Sequence, residues 1–195
     1  MRIPVLRLLL LSTSLAIASV PALADSNLIT NGGFETGDFT GWTVSAGATG
    51  VEPSGGAGGY AANTGTYYAA LGSVGGDGTL SQTFTDTAGE ALTLSYYLAS
   101  NGTTTNDFNT YINGINVDSL TNIASQPYTP YSFTFTATGS DTITFGERDD
   151  PNYLALDDVS VTPAVAATPE PSSLALLGTG LLGAAAAAKR RYFRA

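Results

Sequence analysis

Hydrophobic and polar positions alternate with a period of two through the middle of the chain. Leu92, Leu94, Tyr96 and Leu98 interleave with Thr93, Ser95, Tyr97 and Ala99. Tyr131, Phe133, Phe135 and Ala137 do the same with Ser132, Thr134 and Thr136, and Val159 and Val161 with Ser160 and Thr162. Ile143 and Phe145 alternate with Thr142 and Thr144. Successive strand residues point to opposite faces, so these runs predict strands with one face in a core. Turn-forming residues separate them, as in 54–59 (SGGAGG), 72–78 (GSVGGDG), Asn101-Gly102 and 139–141 (GSD). Asn113-Gly114, between Phe108–Ile112 and Ile115–Leu120, predicts a two-residue hairpin, because a type I′ turn needs positive φ at both central residues. About ten short strands in one domain predict an all-β fold, an antiparallel β-sandwich. No internal repeat suggests a propeller or a β-helix.

The pattern changes at both ends. Arg2 and Arg7 precede an apolar stretch, and Ala22-Leu23-Ala24 is a small-x-small cleavage site. Residues 1–24 therefore predict a secretory signal peptide, cut after Ala24 through recognition of Ala22 and Ala24. An uncleaved anchor is the alternative; Pro21 and the A-x-A site favour cleavage. At the other end, residues 172–188 carry no charge, and Lys189, Arg190, Arg191 and Arg194 follow directly. Seventeen apolar or small residues lie at the short end of the range for a transmembrane helix, and the basic tail 189–195 should stay in the cytoplasm. A core helix of a soluble domain would show a polar face, which this segment lacks apart from Thr179. Residues 163–171 form a Pro/Ala linker, so the folded domain spans about 25–162.

Composition narrows the chemistry. The 195 residues include no Cys and no His, which excludes disulfides, thiol nucleophiles, His-based triads and His-ligated metals. Residues 25–163 hold fifteen of the sixteen acids against a single base, Arg148. Such a surface repels phosphate backbones, so nucleic acid is not an expected partner.

The C-terminal tail resembles a known sorting signal. Pro169-Glu170-Pro171, then an apolar stretch, then an Arg-rich cluster at the terminus is similar to the PEP-CTERM signal of Gram-negative bacteria. The resemblance covers about residues 168–195. It implies an exosortase as processing partner, removal of a transient membrane anchor, and delivery to the cell surface or an exopolysaccharide matrix. The domain resembles a family too. The segment 27–37 (NLITNGGFETG) with Gly41-Trp42 opens it, and 153–161 (YLALDDVSV) closes it. Both are similar to the first and last strands of jelly-roll, galactose-binding-like modules, many of which are carbohydrate-binding modules of secreted glycanases.

That second resemblance implies a structural calcium ion held by Glu35 and Asp157, with Asp158 as a stand-in for Asp157 and backbone carbonyls around Asn31 to Gly33 completing the shell. From the residues alone, Asp157 has the parity of Val159 and Val161 and is expected to point inward, where a lone carboxylate needs a partner. The alternative is that Asp157 accepts hydrogen bonds from backbone amides of a neighbouring loop. The acidic loop Glu147-Arg148-Asp149-Asp150 is a further cluster without an assigned role. Trp42 reads as core rather than as a sugar platform. Tyr67-Tyr68, Tyr96-Tyr97, Tyr128 and Tyr153 each include a ring that could face a sugar. Asp149-Asp150 and Asp157-Asp158 are neighbours in sequence, which does not set two carboxylates across a substrate, so catalysis is not expected. The expected role is therefore a non-catalytic surface or matrix protein, structural or adhesive. A calcium-stabilised carbohydrate-binding module is the alternative, and a glycan-active enzyme the more distant one.

Overall fold

The computed structural model describes residues 27–45 and 49–164, together with residues 179–181, 183 and 189, which are helical. The signal peptide, the Pro169-Glu170-Pro171 motif and most of the segments 172–188 and 189–195 lie outside the described residues. Among the described residues, no helix is long and apolar enough to cross a membrane.

The strands are β1 (Thr43–Ser45), β2 (Gly50–Pro53), β3 (Tyr67–Leu71), β4 (Gly78–Thr85), β5 (Ala91–Ser100), β6 (Asn106–Ile112), β7 (Ile115–Thr121), β8 (Gln126–Thr136), β9 (Ser140–Asp149) and β10 (Leu154–Pro163). A short 3₁₀ turn, Ala57–Gly59, lies between β2 and β3. One sheet has the order β1-β4-β9-β6-β7 and the other β2-β3-β10-β5-β8. Every pairing is antiparallel. The two sheets face each other across one apolar core, so the predicted sandwich is the fold. The alternating runs behave as expected: Leu92, Leu94, Tyr96 and Leu98 of β5 and Ile143 and Phe145 of β9 are all buried between the sheets. The β6–β7 hairpin turns at Asn113 and Gly114, with φ of 51° and 77°.

Aromatic rings fill the centre. The Tyr96 ring meets Phe145 edge-on at 5.1 Å, and Phe108 stacks on Phe145 at 5.4 Å. Tyr96 carries the one polar atom of this group, and its hydroxyl pairs with Thr110 Oγ1 of the opposite sheet at 2.7 Å. A buried hydroxyl needs such a partner, and the bond fixes one sheet against the other. Burial pushes the Tyr96 phenol well above its ordinary pKa.

The segment 27–42, expected to open the domain with a strand, is instead a series of turns strapped to β10. Leu28 N–H donates to the Val161 carbonyl at 2.9 Å. The Asn27 side chain accepts from Val161 N–H at 2.9 Å and donates to the Val159 carbonyl at 3.2 Å. The strap turns early because Asn31 and Phe34 both sit at positive φ, 52° and 57°. Trp42 follows it into the core, 8% exposed, with its ring 6.2 Å from Phe145 and its Nε1–H on the Asn31 carbonyl at 3.1 Å. It is a core residue, as its position in the sequence indicated.

Gly32 sits where the strap touches β10. Its carbonyl accepts from Val159 N–H at 2.9 Å, and a Cβ added there would lie 1.9 Å from the Val159 carbonyl oxygen. Gly32→Ala must push the strap off β10 and break that bond. The expected loss is at least about 1–3 kcal/mol, the usual cost of overpacking. Gly76→Ala, where a Cβ meets nothing within 4 Å, is expected to change stability by less than about 0.5 kcal/mol. Denaturant midpoints read from the single Trp42 compare the two.

Candidate functional site

Glu35, Asp157 and Asp158 come together around one glycine. A Cβ on Gly33 would lie 3.6 Å from Asp158 Oδ1, 3.9 Å from Asp157 Oδ1 and 3.8 Å from Glu35 Cγ. The three acids reach this point by different routes. Glu35 follows the turn at Phe34. Asp157 and Asp158 occupy a β-bulge, where the β10 register shifts between Asp157 and Ser160 and Asp158 takes φ of 51°.

The bulge corrects the expected direction of Asp157. Leu154 and Leu156 face the core, whereas Ala155 belongs to a second buried cluster on the outer side of the sheet. Asp157 shares the parity of Ala155, not that of Val159 and Val161, because the extra residue of the bulge reverses the alternation between them. It is fully buried all the same. The loop before β3 covers it: Asn63 N–H donates to Asp157 Oδ2 at 2.8 Å, with Thr64 N–H further off at 3.4 Å.

The same loop meets the other two acids. The Asn63 side-chain amide donates to Asp158 Oδ2 at 2.7 Å and the Thr64 hydroxyl to Asp158 Oδ1 at 2.6 Å. Thr66 and Tyr67 N–H both donate to Glu35 Oε1 at 2.9 Å, and Thr66 N–H also reaches Oε2 at 3.1 Å. Asp158 N–H donates to Asp157 Oδ1 at 2.7 Å. All six carboxylate oxygens therefore take an N–H or O–H donor, and the three acids act as a clasp on residues 63–67. Gly65, at φ 62°, lets the loop close, since a Cβ there would lie 2.4 Å from Glu35 Cδ. Burial, and then the Asp158 charge beside it, push the Asp157 carboxyl up to about 7. Among the described residues, no three acids are gathered tightly enough to hold a metal ion together. In this geometry the donor set suits a loop clasp rather than a shared cation. The partners Asn63 and Thr64 carried no signal in the sequence, because their contacts lie more than ninety residues away.

The covering loop also buries a layer of tyrosines. Tyr68, Ala70, Ala99 and Ala155 form a closed cluster on the outer side of the β2-β3-β10-β5-β8 sheet, with Tyr60, Tyr128 and Tyr153 packed around it. Tyr68 donates to the Ala57 carbonyl at 2.6 Å and Tyr60 to the Tyr153 carbonyl at 2.8 Å. Burial lifts Tyr60 to about 12. Of the paired tyrosines, Tyr68 and Tyr96 are fully buried, while Tyr67 and Tyr97 are half-buried. Tyr97 pairs in register with Asp157 on one side and Pro130 on the other, so its ring stands on the outer face of this sheet.

A second acidic group lies at the end of β9. Glu147 is buried and accepts from Ser73 N–H at 3.1 Å, from the Ser73 hydroxyl, and from the Thr49 hydroxyl at 2.8 Å. Burial raises its pKa even so. Arg148 points away from Glu147 and Asp149 and pairs with Asp150 at 3.0 Å, both side chains being more than a quarter exposed. Asp149 is fully buried, and neither carboxylate oxygen has a hydrogen-bond partner.

Residues 167–191 match the PEP-CTERM protein-sorting motif, which covers Pro169, Glu170 and Pro171. The motif marks export and sorting to the cell surface. No curated protein matches the chain along its sequence. Among solved structures, the chain is similar to TmCBM61 in complex with beta-1,4-galactotriose, with a TM-score of 0.53 at 21% identity over 71% of this chain and 99% of the module. It is similar to the xylan-binding domain CBM22-1 from Paenibacillus barcinonensis, with a TM-score of 0.50 at 20% identity over 75% of this chain and 100% of that one. The enzymatically active domain of a tailspike protein of bacteriophage CBA120 gives a TM-score of 0.52 at 18% identity over 71% of this chain, which spans only 21% of that protein's length. At such identities the likeness is one of fold. The chain is thus a jelly-roll β-sandwich followed by a PEP-CTERM sorting motif.

Proposed function

We propose that the protein is exported, held briefly in the membrane by its C-terminal segment, cleaved there by an exosortase, and released to the cell surface or the extracellular polysaccharide as a non-catalytic structural or adhesive protein. The observation that carries this reading is the motif match at 167–191. Its order of a Pro-Glu-Pro segment, an apolar stretch and a basic cluster suits a removable anchor: the apolar part favours lipid, the cations Lys189, Arg190, Arg191 and Arg194 favour the cytoplasmic side, and proline disfavours helix in the residues next to it. The acidic domain, with Arg148 as its one base, suits the opposite side of the membrane. In cells with the processing enzyme, mass spectrometry of the mature protein is expected to find a chain beginning at Asp25 and lacking residues 172–195. An intact C-terminus in those cells overturns the reading.

A second reading is a calcium-stabilised carbohydrate-binding module. Its support is the outer face of the β2-β3-β10-β5-β8 sheet, where the half-buried Tyr97 ring stands beside Pro130 and near the hydrogen-bonded Ser95 and Ser160 hydroxyls. Aromatic faces flanked by hydroxyls are a common way to hold neutral sugars. The module solved with galactotriose and the xylan-binding domain share the fold. In native affinity gels with a panel of neutral glycans, this reading expects retardation that Tyr97→Ala reduces; free migration on every glycan removes it. Calcium on Glu35, Asp157 and Asp158 belongs to this reading, and an ion there would have to take the place of amide donors from residues 63–67. It expects the melting temperature to fall on adding a chelator and to recover with calcium. A glycan-active enzyme is disfavoured, because Glu147, Asp149 and Asp157 are buried and Glu35 and Asp158 are held by the loop.

A further inference from the structure

In the clasp, every carboxylate oxygen receives a donor. Asp149 differs. It ends β9, its residue surface is fully covered, and both Oδ1 and Oδ2 are buried without a hydrogen-bond partner. The Asn152 backbone amide favours the charged form, but its geometry falls short of a hydrogen bond to either oxygen. Leaving a carboxylate buried and unanswered costs several kcal/mol. A proton does not resolve this, since a neutral carboxyl is both donor and acceptor, and neither role is filled among the described residues.

The surroundings increase the mismatch. Glu147 is two residues earlier on the same face of β9, and it is buried as well. Ser73 links the two acids: its N–H and hydroxyl donate to Glu147, and its carbonyl accepts from Asp149 N–H at 3.2 Å. Asp107 pairs in register with Arg148 on the adjacent strand β6, and its carboxyl is raised by burial and by Asp77. Asp150 tethers the same loop through Gly75 N–H at 3.1 Å. Five acids, Asp77, Asp107, Glu147, Asp149 and Asp150, thus crowd one end of the sandwich. Among the described residues, Arg148 is the only base near them, and it is paired with Asp150.

We infer that Asp149, with Glu147 beside it, anchors a site for a hard divalent cation of the calcium class at this end of the sandwich. Calcium takes oxygen ligands only, and tolerates irregular sets of carboxylates, carbonyls and hydroxyls. Asp149 supplies free carboxylate oxygens, Glu147 a second charge, and Ser73 a hydroxyl and a carbonyl between them. The ion would join the β3–β4 loop to the end of β9. This site is separate from Glu35, Asp157 and Asp158, and differs from them in having at Asp149 two carboxylate oxygens without a donor.

The test uses the full chain, purified in detergent and stripped with a chelator, then titrated with calcium chloride by calorimetry. Wild type is compared with Asp149→Asn, Glu147→Gln and Asp157→Asn. The expected result is one equivalent of calcium that wild type and Asp157→Asn bind and Asp149→Asn loses. In chelator, Asp149→Asn should melt at or above the wild-type temperature, because it removes an unanswered charge. Should Asp149→Asn fail to fold, Glu147→Gln reads the same site, with affinity expected to fall about tenfold or more. No binding by wild type, an equal stoichiometry in Asp149→Asn, unchanged affinity in Glu147→Gln, or a lower melting temperature for Asp149→Asn in chelator each overturns the site. Loss of an equivalent only in Asp157→Asn overturns it too, and leaves calcium at the clasp.

Discussion

A carboxylate taken out of water must be met by positive charge or by hydrogen-bond donors, and this domain has almost no positive charge to offer. That constraint organises its loops. With Arg148 paired to Asp150, the other acids that fasten the loops, buried Asp149 apart, turn to amides and hydroxyls, whether buried as Asp157 or exposed as Glu35. Glu35, Asp157 and Asp158 hold the loop 63–67; Glu147 holds Ser73; Asp141 takes Thr138 N–H at 2.9 Å, the Thr138 hydroxyl at 2.6 Å and the Asn113 amide at 2.5 Å. Glu35, Asp157, Asp158 and Glu147 join segments that the sheets alone do not connect, while Asp141 fastens turns at the end of its own strand pair. The strands supply the core, and the acids supply the loop fastenings.

The strategy explains why the acids differ in their titration though their exposure is similar. Burial opposes ionisation of Asp141, yet its Thr138 and Asn113 donors hold its pKa below the ordinary carboxylate value. Asp149, equally buried, has no such donors and is pushed up to about 6 by burial and by the charges of Glu147 and Asp150. Asp157 lies between them in donor supply. It has two backbone donors at good distance but a like charge next to it, and burial still prevails. Donor supply separates Asp141 from Asp149, while burial and the adjacent Asp158 charge carry Asp157 to about 7 despite its donors.

The sequence made the strands legible and left the fastenings hidden. Alternation in β5 and β9 and the Asn113-Gly114 turn depend on residues within a few positions of each other, so they could be read directly. The direction of Asp157 depends on a bulge one residue long, and simple alternation carried across it gives the wrong face. The clasp was legible only in half. Glu35 follows from the resemblance of the opening segment to jelly-roll modules, and Asp157 from that resemblance and its parity, but Asn63 and Thr64 are ordinary polar residues whose role exists only once β3 lies beside β10. Asp149 is the opposite case. The acidic loop was visible, but that Asp149 faces inward while Arg148 faces out follows from the register of β9, and that its oxygens lack donors follows from packing alone.

The sorting tail and the folded domain are also separable on physical grounds. β10 ends at Pro163, and the next hydrogen bond runs from Ala164 N–H to the Ala91 carbonyl at 2.8 Å. The motif begins only at residue 167. The bonds that close the domain at this edge, from Asn27 and Leu28 to β10, lie wholly before it. Cutting within the motif therefore removes no described strand pairing and no described core contact. The proposed release by cleavage requires that independence, since the fold would have to survive the cut. Here the strap from the N-terminal side supplies it by closing over β10.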